Sequence, residues 1–283
     1  MNGDVIKFSG HYYTTDRGFT KLNKFYEEAS QFSQRTISLD FYDLKWFDGN
    51  LTAILAAMMY KLSKENRLSF STDIAYISDK FDLLIKNQFI LGPDFGDLKN
   101  KDFNTLPLRS FKPNDKDGFI GYLDNHLFPH RGMPPTSSEE IYKRVKADLI
   151  EIFCNIHEHA KTKYPCFLCG QFYEDKKYLA LTITDLGIGF LPPIQKKTSN
   201  EIKTHSSAIL WALDGNTVKR NKTPGGLGIS SIRKYCAENN GIFHIISGNA
   251  YWGSDIEKSI LRGVAELDYS FCGSTINLFF NWK

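Results

Sequence analysis

The chain has 283 residues, of which 42% are hydrophobic and 24% are charged, a composition typical of a globular protein with room for two modest domains. The net charge of +3 is too small to predict a nucleic-acid partner, and the absence of a long apolar run predicts no membrane segment. The N-terminus MNGDVIKFSG lacks the pattern of a signal peptide and the cysteine count is odd, so we expect a cytosolic protein without a disulfide framework.

The first hundred residues alternate strand and helix signals. TISLDFYDL (36–44) has the β-rich composition of a strand, and LTAILAAMMYKLSKEN (51–66) has the period of an amphipathic helix. These signals predict a small α/β domain over residues 1–100. Prolines and glycines are frequent from about residue 92 onward, so we expect 101–138 to be a connector of turns and short helix.

Residues 139–283 read as a second domain. A long helix is predicted over 136–161, with Ser137 or Ser138 as its N-cap, followed by a hairpin of two strands at 167–173 and 178–184. A further helix is predicted over 225–240, and strands over 242–247 and 274–280. Long helices beside antiparallel strands predict a two-layer α+β arrangement.

Three motifs in this part carry chemistry. In TITDLGIGF (182–190), strand alternation puts Asp185 on the same face as Leu181 and Ile183. A buried carboxylate needs a donor, either from its own turn or from a ligand, and Gly187 and Gly189 would let a flat group approach the backbone.

The second motif is E-x-x-x-N on the long helix. Glu151 and Asn155 lie one turn apart on one polar face, an oxygen pair suited to Mg²⁺ and an attacking nucleophile, although a solvated helix face has the same pattern. The third motif is TPGGLGISS (223–231), where three glycines precede a helix whose free N–H groups favour an anion. The lysine-bearing segment between the first and third motifs, at 196–222, can screen phosphates or simply keep a loop soluble.

A zinc site is the rival interpretation of the cysteines. Cys166 and Cys169 form C-x-x-C near His157 and His159, but the spacing matches no standard finger. Trp211 is expected to be a packing residue of a helix rather than a stacking platform.

Taken in order, the E-x-x-x-N helix, the D-x-G-x-G after a strand, the lysine-bearing segment, the G-G-x-G before a helix and a final G-S-T on a strand resemble the GHKL superfamily. This superfamily includes gyrase, histidine-kinase and MutL ATPase domains and anti-sigma-factor serine kinases. The resemblance covers about Glu139 to Lys283. It implies the Bergerat two-layer α/β sandwich, with ATP bound between the sheet-helix layer and a lid.

The resemblance also implies roles for individual residues. Asp185 would accept from the adenine amino group between Gly187 and Gly189, Asn155 would hold Mg²⁺, and Glu151 would orient or deprotonate the nucleophile. The remaining roles are a phosphate cradle formed by Gly225, Gly226 and Gly228, and support of Asp185 from the neighbouring strand by Thr275.

The N-terminal half is similar to a STAS domain, the anti-sigma-antagonist fold, in LDFYDLKWFDGNLTAILAAMM (39–59). STAS antagonists carry a phosphorylatable Ser or Thr after the strand, whereas this chain has Asp48, Gly49 and Asn50, with Thr52 offset. The departure favours docking of a protein partner or intramolecular regulation over phosphorylation of this half.

Three function classes follow for a cytosolic regulatory protein that binds ATP and Mg²⁺. One is a protein serine/threonine kinase of the partner-switching kind, a second is an ATPase, and a third is a non-enzymatic nucleotide-gated interaction module. A homodimer is compatible with each. A histidine kinase is disfavoured, because His126 and His130 lie in a proline- and glycine-rich stretch rather than on dimerisation helices.

Overall fold

The computed structural model describes residues 4–90, 104–135, 139–216, 218, 227–254 and 263–282. Helices account for 42% and strands for 30% of the structure, in several sheets, which confirms the expected mixture of α and β structure.

The N-terminal half contains two small parallel sheets with helices packed beside them. The three-stranded sheet has the order β1-β3-β5 and the two-stranded sheet pairs β2 with β4. The elements in chain order are β1 (Asp4–Lys7), β2 (Gly10–Tyr12), α1 (Asp16–Ser30), β3 (Thr36–Asp40), β4 (Leu44–Phe47), a 3-10 turn (Gly49–Leu51), α2 (Thr52–Glu65), β5 (Ser69–Ser71), α3 (Ile74–Lys80) and α4 (Leu83–Lys86).

The C-terminal half is organised around a five-stranded antiparallel sheet with the order β6-β7-β8-β10-β9. Its elements are β6 (Thr105–Phe111), α5 (Lys116–Tyr122), a π-helix (Leu123–Leu127), α6 (Glu139–His159), β7 (Cys166–Tyr173), β8 (Tyr178–Asp185), α7 (Leu191–Lys197), α8 (His205–Leu213), α9 (Leu227–Glu238), β9 (Ile242–Gly253) and β10 (Val264–Asn281).

Strand alternation gives the large sheet two different faces. Leu179, Leu181 and Ile183 of β8 join one large core with side chains of α5, α6, α8 and α9. The intervening residues Thr182 and Thr184 are fully buried on the opposite face, where the N-terminal half packs. The helices of the C-terminal half therefore cover one side of the sheet, and the N-terminal half covers the other.

The contact between the halves is polar as well as apolar. Asn50 donates from Nδ2 to the hydroxyl of Thr182 at 2.9 Å, and the backbone N–H of Gly49 donates to the side chain of Gln171 at 2.5 Å. The hydroxyl of Thr52 lies 3.0 Å from the sulfur of Cys169. The turn at 48–52 is thus held against the middle of the large sheet.

The segment expected to be a connector contributes structure to the C-terminal half. Residues 105–111 form the edge strand β6, which pairs with β7, and side chains from α5 and the π-helix enter the same core as α6. The sequence analysis predicted no strand here, because a proline such as Pro107 usually argues against a strand. An edge strand such as β6 tolerates proline. A register shift between Leu106 and Arg109 also interrupts the alternation of its side chains. The three long predicted helices and the hairpin of β7 and β8 occur within three residues of their expected bounds. The single strand expected over 36–44 is instead two strands, β3 and β4, separated by residues 41–43, and the strands expected over 242–247 and 274–280 are parts of the longer β9 and β10. The predicted N-cap at Ser137 or Ser138 falls outside the described residues.

Candidate functional site

A cavity of about 130 Å³ lies on the helical side of the large sheet, at the end of β8. A single water molecule needs roughly 10–15 Å³ by the same measure, so the cavity can hold a ligand much larger than water. Its walls come from α6, from the end of β8, from the middle of β10, from the α7–α8 region and from the first turn of α9. The lining is mostly apolar, and its polar members are Asn155, His159, Asp185, Asn216 and Ser274.

Asp185 is the one acidic residue among the described residues that line the cavity. It ends β8 on the face that carries Ile183, and only 5% of its surface is exposed. Its Oδ1 accepts the backbone N–H of Gly187 at 2.7 Å, so part of its hydrogen-bonding need is met by its own turn. Burial raises the pKa of the carboxyl to about 6, against the lowering effect of bonds from Gly187 and Ser274. No basic side chain contributes to that shift in the part of the chain described.

The cross-strand partner of Asp185 is Ser274. The β8–β10 register pairs Ser274 with Asp185 and Thr275 with Thr184. Thr275 therefore lies on the opposite face of the sheet, where its hydroxyl is 2.7 Å from that of Thr184. The structure does not bring Thr275 to the Asp185 side chain, and Ser274 occupies the supporting position that the sequence assigned to Thr275. The sequence motif could not show which of the two residues lies beside Asp185, because a one-residue change in the register of β10 against β8 exchanges the two faces of the sheet.

The two glycines after Asp185 serve different purposes. A Cβ at Gly187 would come within 2.4 Å of Ala160 at the end of α6, so this glycine allows the turn to pack against the helix. Gly189 has a φ of +74°, a conformation that favours glycine, and it lines the cavity. Only Gly189 fits the expectation of a glycine facing a ligand, since Gly187 is not among the lining residues of the described chain.

Helix α6 contributes Asn155 and His159, which are one turn apart and both line the cavity. Glu151 lies one turn further toward the N-terminus on the same face, half-buried, and does not belong to the described lining. The structure thus brings Asn155 and Asp185 to one cavity, although 30 positions separate them in the sequence. The sequence analysis did not assign His159 to this site, although its i+4 spacing from Asn155 places both residues on the same face of the helix.

The outer wall comes from residues that follow the D-x-G-x-G motif. Phe190, Pro193 and Ile194 line the cavity near α7, and Trp211 and Ala212 line it from α8. Trp211 therefore borders the cavity, where the sequence predicted only a packing role. An aromatic and aliphatic wall opposite a buried carboxylate suits a flat, largely apolar ligand with a polar edge.

Only part of the glycine-rich motif TPGGLGISS (223–231) lies within the described residues. Gly225 and Gly226 lie outside the described residues, as do Lys219, Arg220 and Lys222. Gly228 is in the first turn of α9, and Ile229 of the same turn lines the cavity. The phosphate-binding expectation for this motif stays a prediction.

The two cysteines of C-x-x-C belong to β7 and point to opposite faces of the sheet. Cys166 joins the core beneath the helices, whereas Cys169 packs toward the N-terminal half, and both are buried. Burial raises the pKa of the Cys169 thiol to about 12, so the protonated form dominates. Side chains on opposite faces of one strand cannot ligate one ion together.

In comparisons with known proteins, the sequence matches no protein-family model and no curated protein. Across the described helices, none combines the length and apolar character that a membrane crossing requires.

Proposed function

We propose that the chain binds ATP together with Mg²⁺ in the cavity beside Asp185, as the resemblance to the GHKL superfamily implies. The observation that carries the proposal is the position of the Asp185 carboxylate, which is nearly buried in a mostly apolar wall. A carboxylate in such a place incurs a desolvation cost that a ligand donor can offset.

Adenine fits this chemistry in two respects. Its exocyclic amino group can donate to the carboxylate, and its flat faces can pack against aliphatic and aromatic side chains such as Ile183, Phe190 and Trp211. Guanine carries a carbonyl oxygen where adenine carries the amino group. An oxygen opposite a carboxylate leaves two acceptors facing each other, so ATP is favoured over GTP.

The residues present also fit a magnesium ion held jointly with a nucleotide. Asn155 supplies an amide oxygen at the cavity wall, and no group of three acidic, histidine or cysteine side chains suited to a metal occurs among the described residues. Mg²⁺ is commonly held by one or two protein oxygens plus substrate phosphates, whose charge it neutralises. Glu151, one turn from Asn155, would accept the proton of an attacking hydroxyl as the terminal phosphoryl group transfers and ADP leaves.

The favoured acceptor is a serine or threonine of another protein. In this chain the turn at 48–52, which corresponds to the phosphoacceptor region of a STAS antagonist, is buried against the large sheet, and Thr52 is fully buried. The N-terminal half therefore acts as a docked partner rather than as a substrate. Hydrolysis by water is the competing outcome for the same Glu151.

A non-enzymatic nucleotide-gated module is the alternative. It is favoured by the position of Glu151, which lies one turn above Asn155 and outside the described cavity lining. Under this alternative, nucleotide binding would alter the α7–α8 wall without phosphoryl transfer.

Calorimetric titration with ATP and Mg²⁺ tests the proposal. We expect saturable binding of ATP, little binding of GTP, and loss of ATP binding in Asp185→Asn, because an amide presents an N–H group or a weaker acceptor to the adenine amino group. Asp48→Asn is the matched control. Asp48 is 6% exposed, and it is hydrogen-bonded to Thr14 and Trp46 of the N-terminal half and to Tyr173 of β7. It does not line the cavity.

ATP affinity that is equal in the unaltered chain and in Asp185→Asn would remove the adenine assignment. If ATP binds, incubation with radiolabelled ATP separates the classes: label on an added protein supports a kinase, released phosphate supports an ATPase, and intact ATP supports the gated module. Glu151→Ala should spare binding and suppress either turnover.

A further inference from the structure

Helices α6 and α9 are joined by a polar clamp beside the cavity. Arg144 donates from Nε to the hydroxyl oxygen of Ser231 at 3.2 Å, and the same Ser231 hydroxyl is hydrogen-bonded to the carboxyl of Asp148. Arg144 and Asp148 are one turn apart on α6, whereas Ser231 belongs to α9. One serine of α9 is therefore held from two sides by side chains of α6.

Asp148 is placed unusually for a surface clamp. It is only 7% exposed, and its Oδ2 has no hydrogen-bond partner in the described structure. The pKa of Asp148 is raised to about 6, chiefly by burial and in small part by the nearby carboxylate of Glu151, while Ser231 and Arg144 oppose the shift. An unpaired buried carboxylate oxygen is costly, so simple stabilisation of the helix pair is a poor account of this residue.

The clamp lies on the same face of α6 as the candidate functional residues. Arg144, Asp148, Glu151 and Asn155 follow the i, i+4, i+7, i+11 spacing that forms one stripe along a helix. Asn155 lines the cavity at one end of the stripe, and Ser231 lies two positions after Ile229, which lines the cavity from α9. The clamp thus joins α9 to α6 close to the parts of both helices that line the cavity.

We propose that Asp148 is a positioning residue, which holds the first turns of α9 against α6 so that the phosphate end of a bound nucleotide is gripped between the two helices. This inference rests on the proposed nucleotide function. It assigns the adenine end of the ligand to Asp185 and the phosphate end to the α6–α9 gap, which the clamp keeps at a fixed width. Sequence patterning missed Asp148, because its role depends on a contact with a helix 83 positions away.

Comparison of ATP with adenosine tests the inference, since adenosine lacks the phosphates. In Asp148→Ala and in Ser231→Ala, we expect affinity for ATP with Mg²⁺ to fall about tenfold, the effect of losing one hydrogen bond to a charged group, while adenosine affinity stays within about twofold. The double variant should be no weaker than either single variant, because both changes break the same contact. Asp148→Asn retains an acceptor for Ser231 and should restore most of the ATP affinity.

Lys143→Ala is the matched control, because Lys143 is exposed on α6 and pairs with Glu139 of the same helix. Thermal melts of each variant show whether it is folded. Ser231→Ala disturbs the fold less than Asp148→Ala, because Ser231 is only half-buried. If Asp148→Ala and Ser231→Ala lower ATP and adenosine affinity equally, or leave both unchanged, Asp148 does not position the phosphate end. Failure of the unaltered chain to bind either ligand would instead overturn the proposed function itself.

Discussion

At the scale of single residues, the informative feature is the Asp185 carboxylate, which is buried and has no cationic side chain beside it among the residues that the structure describes. Asp185 accepts from Gly187 and Ser274, yet burial still raises its pKa to about 6. Its partners therefore compensate only partly for the loss of water. A side chain in this condition lowers the stability of the protein, and such costs are characteristic of binding and catalytic sites.

The pH dependence of stability should reveal this cost. The unfolded carboxyl releases its proton near 3.8 and the folded one near 6, so the Asp185 contribution to the free energy of unfolding falls as pH rises from about 4 to 6. The difference amounts to at most about 3 kcal/mol above pH 6. We expect Asp185→Asn to melt at a higher temperature than the unaltered chain at pH 7.5, and to show little difference at pH 4.

Differential scanning calorimetry at the two pH values provides the measurement. Asp175→Asn, in the exposed turn between β7 and β8, is the control and should change little at either pH. A lower melting temperature for Asp185→Asn at pH 7.5 would show that the ionised carboxylate stabilises the fold, contrary to this account.

At the scale of elements, the turn at 48–52 and the large sheet form one buried polar network. Asn50 is fully buried and bonds Thr182 of β8, whose hydroxyl donates to Asn277 of β10 at 2.6 Å. The hydroxyl of Tyr173 in β7 donates to the Oδ1 of Asn50 at 3.2 Å. The turn is thus linked to three neighbouring strands, and two of them, β8 and β10, contribute Asp185 and Ser274 to the cavity.

Removal of the central amide tests this network. Asn50→Ala leaves the hydroxyls of Thr182 and Tyr173 with fewer partners in a buried place, so we expect the free energy of unfolding to fall by about 2 kcal/mol. Urea denaturation measures the change. Asn125→Ala, at an exposed position of the π-helix, should alter stability by less than about 0.5 kcal/mol. Equal effects of the two substitutions would mean that the network contributes nothing specific.

At the scale of the whole molecule, the N-terminal half packs on one face of the large sheet. The core beneath α1 and α2 includes Ile246 and Tyr251 of β9 together with Leu267 and Phe271 of β10, so it is built from both halves. The core on the other face includes Leu106 of β6, which precedes the predicted start of the second domain. Residues 139–283 therefore contain neither core in full.

Truncation should therefore be costly. A fragment of residues 139–283 lacks β6 and uncovers the apolar and polar groups that face the N-terminal half, so we expect it to aggregate or to lack a cooperative thermal transition. A fragment of residues 104–283 restores β6 but leaves the opposite face bare, and should behave little better. A monomeric fragment of 139–283 with a sharp melting transition would show that the second half folds independently.

Much of the secondary structure was predictable from local patterns. The helix at 52–65, the helix at 139–159 and the hairpin of β7 and β8 carry clear periodicity, and the structure contains all three. Asn155 and Asp185 were singled out because their motifs are short and local. The cavity-facing role of Ser274 and the clamp at Asp148 depend on strand register and helix packing, which a motif does not encode.

The sequence by itself determined where most helices and strands form and which residues carry unusual chemistry, because backbone preference and hydrophobic period act over a few neighbouring positions. Only the tertiary structure decided that Asn155 and Asp185 share a cavity, that Ser274 rather than Thr275 faces it, and that the turn at 48–52 is buried against the far side of the sheet. These outcomes depend on which strands pair and in which register. The pairing and register are fixed because both faces of the large sheet must be buried at the same time.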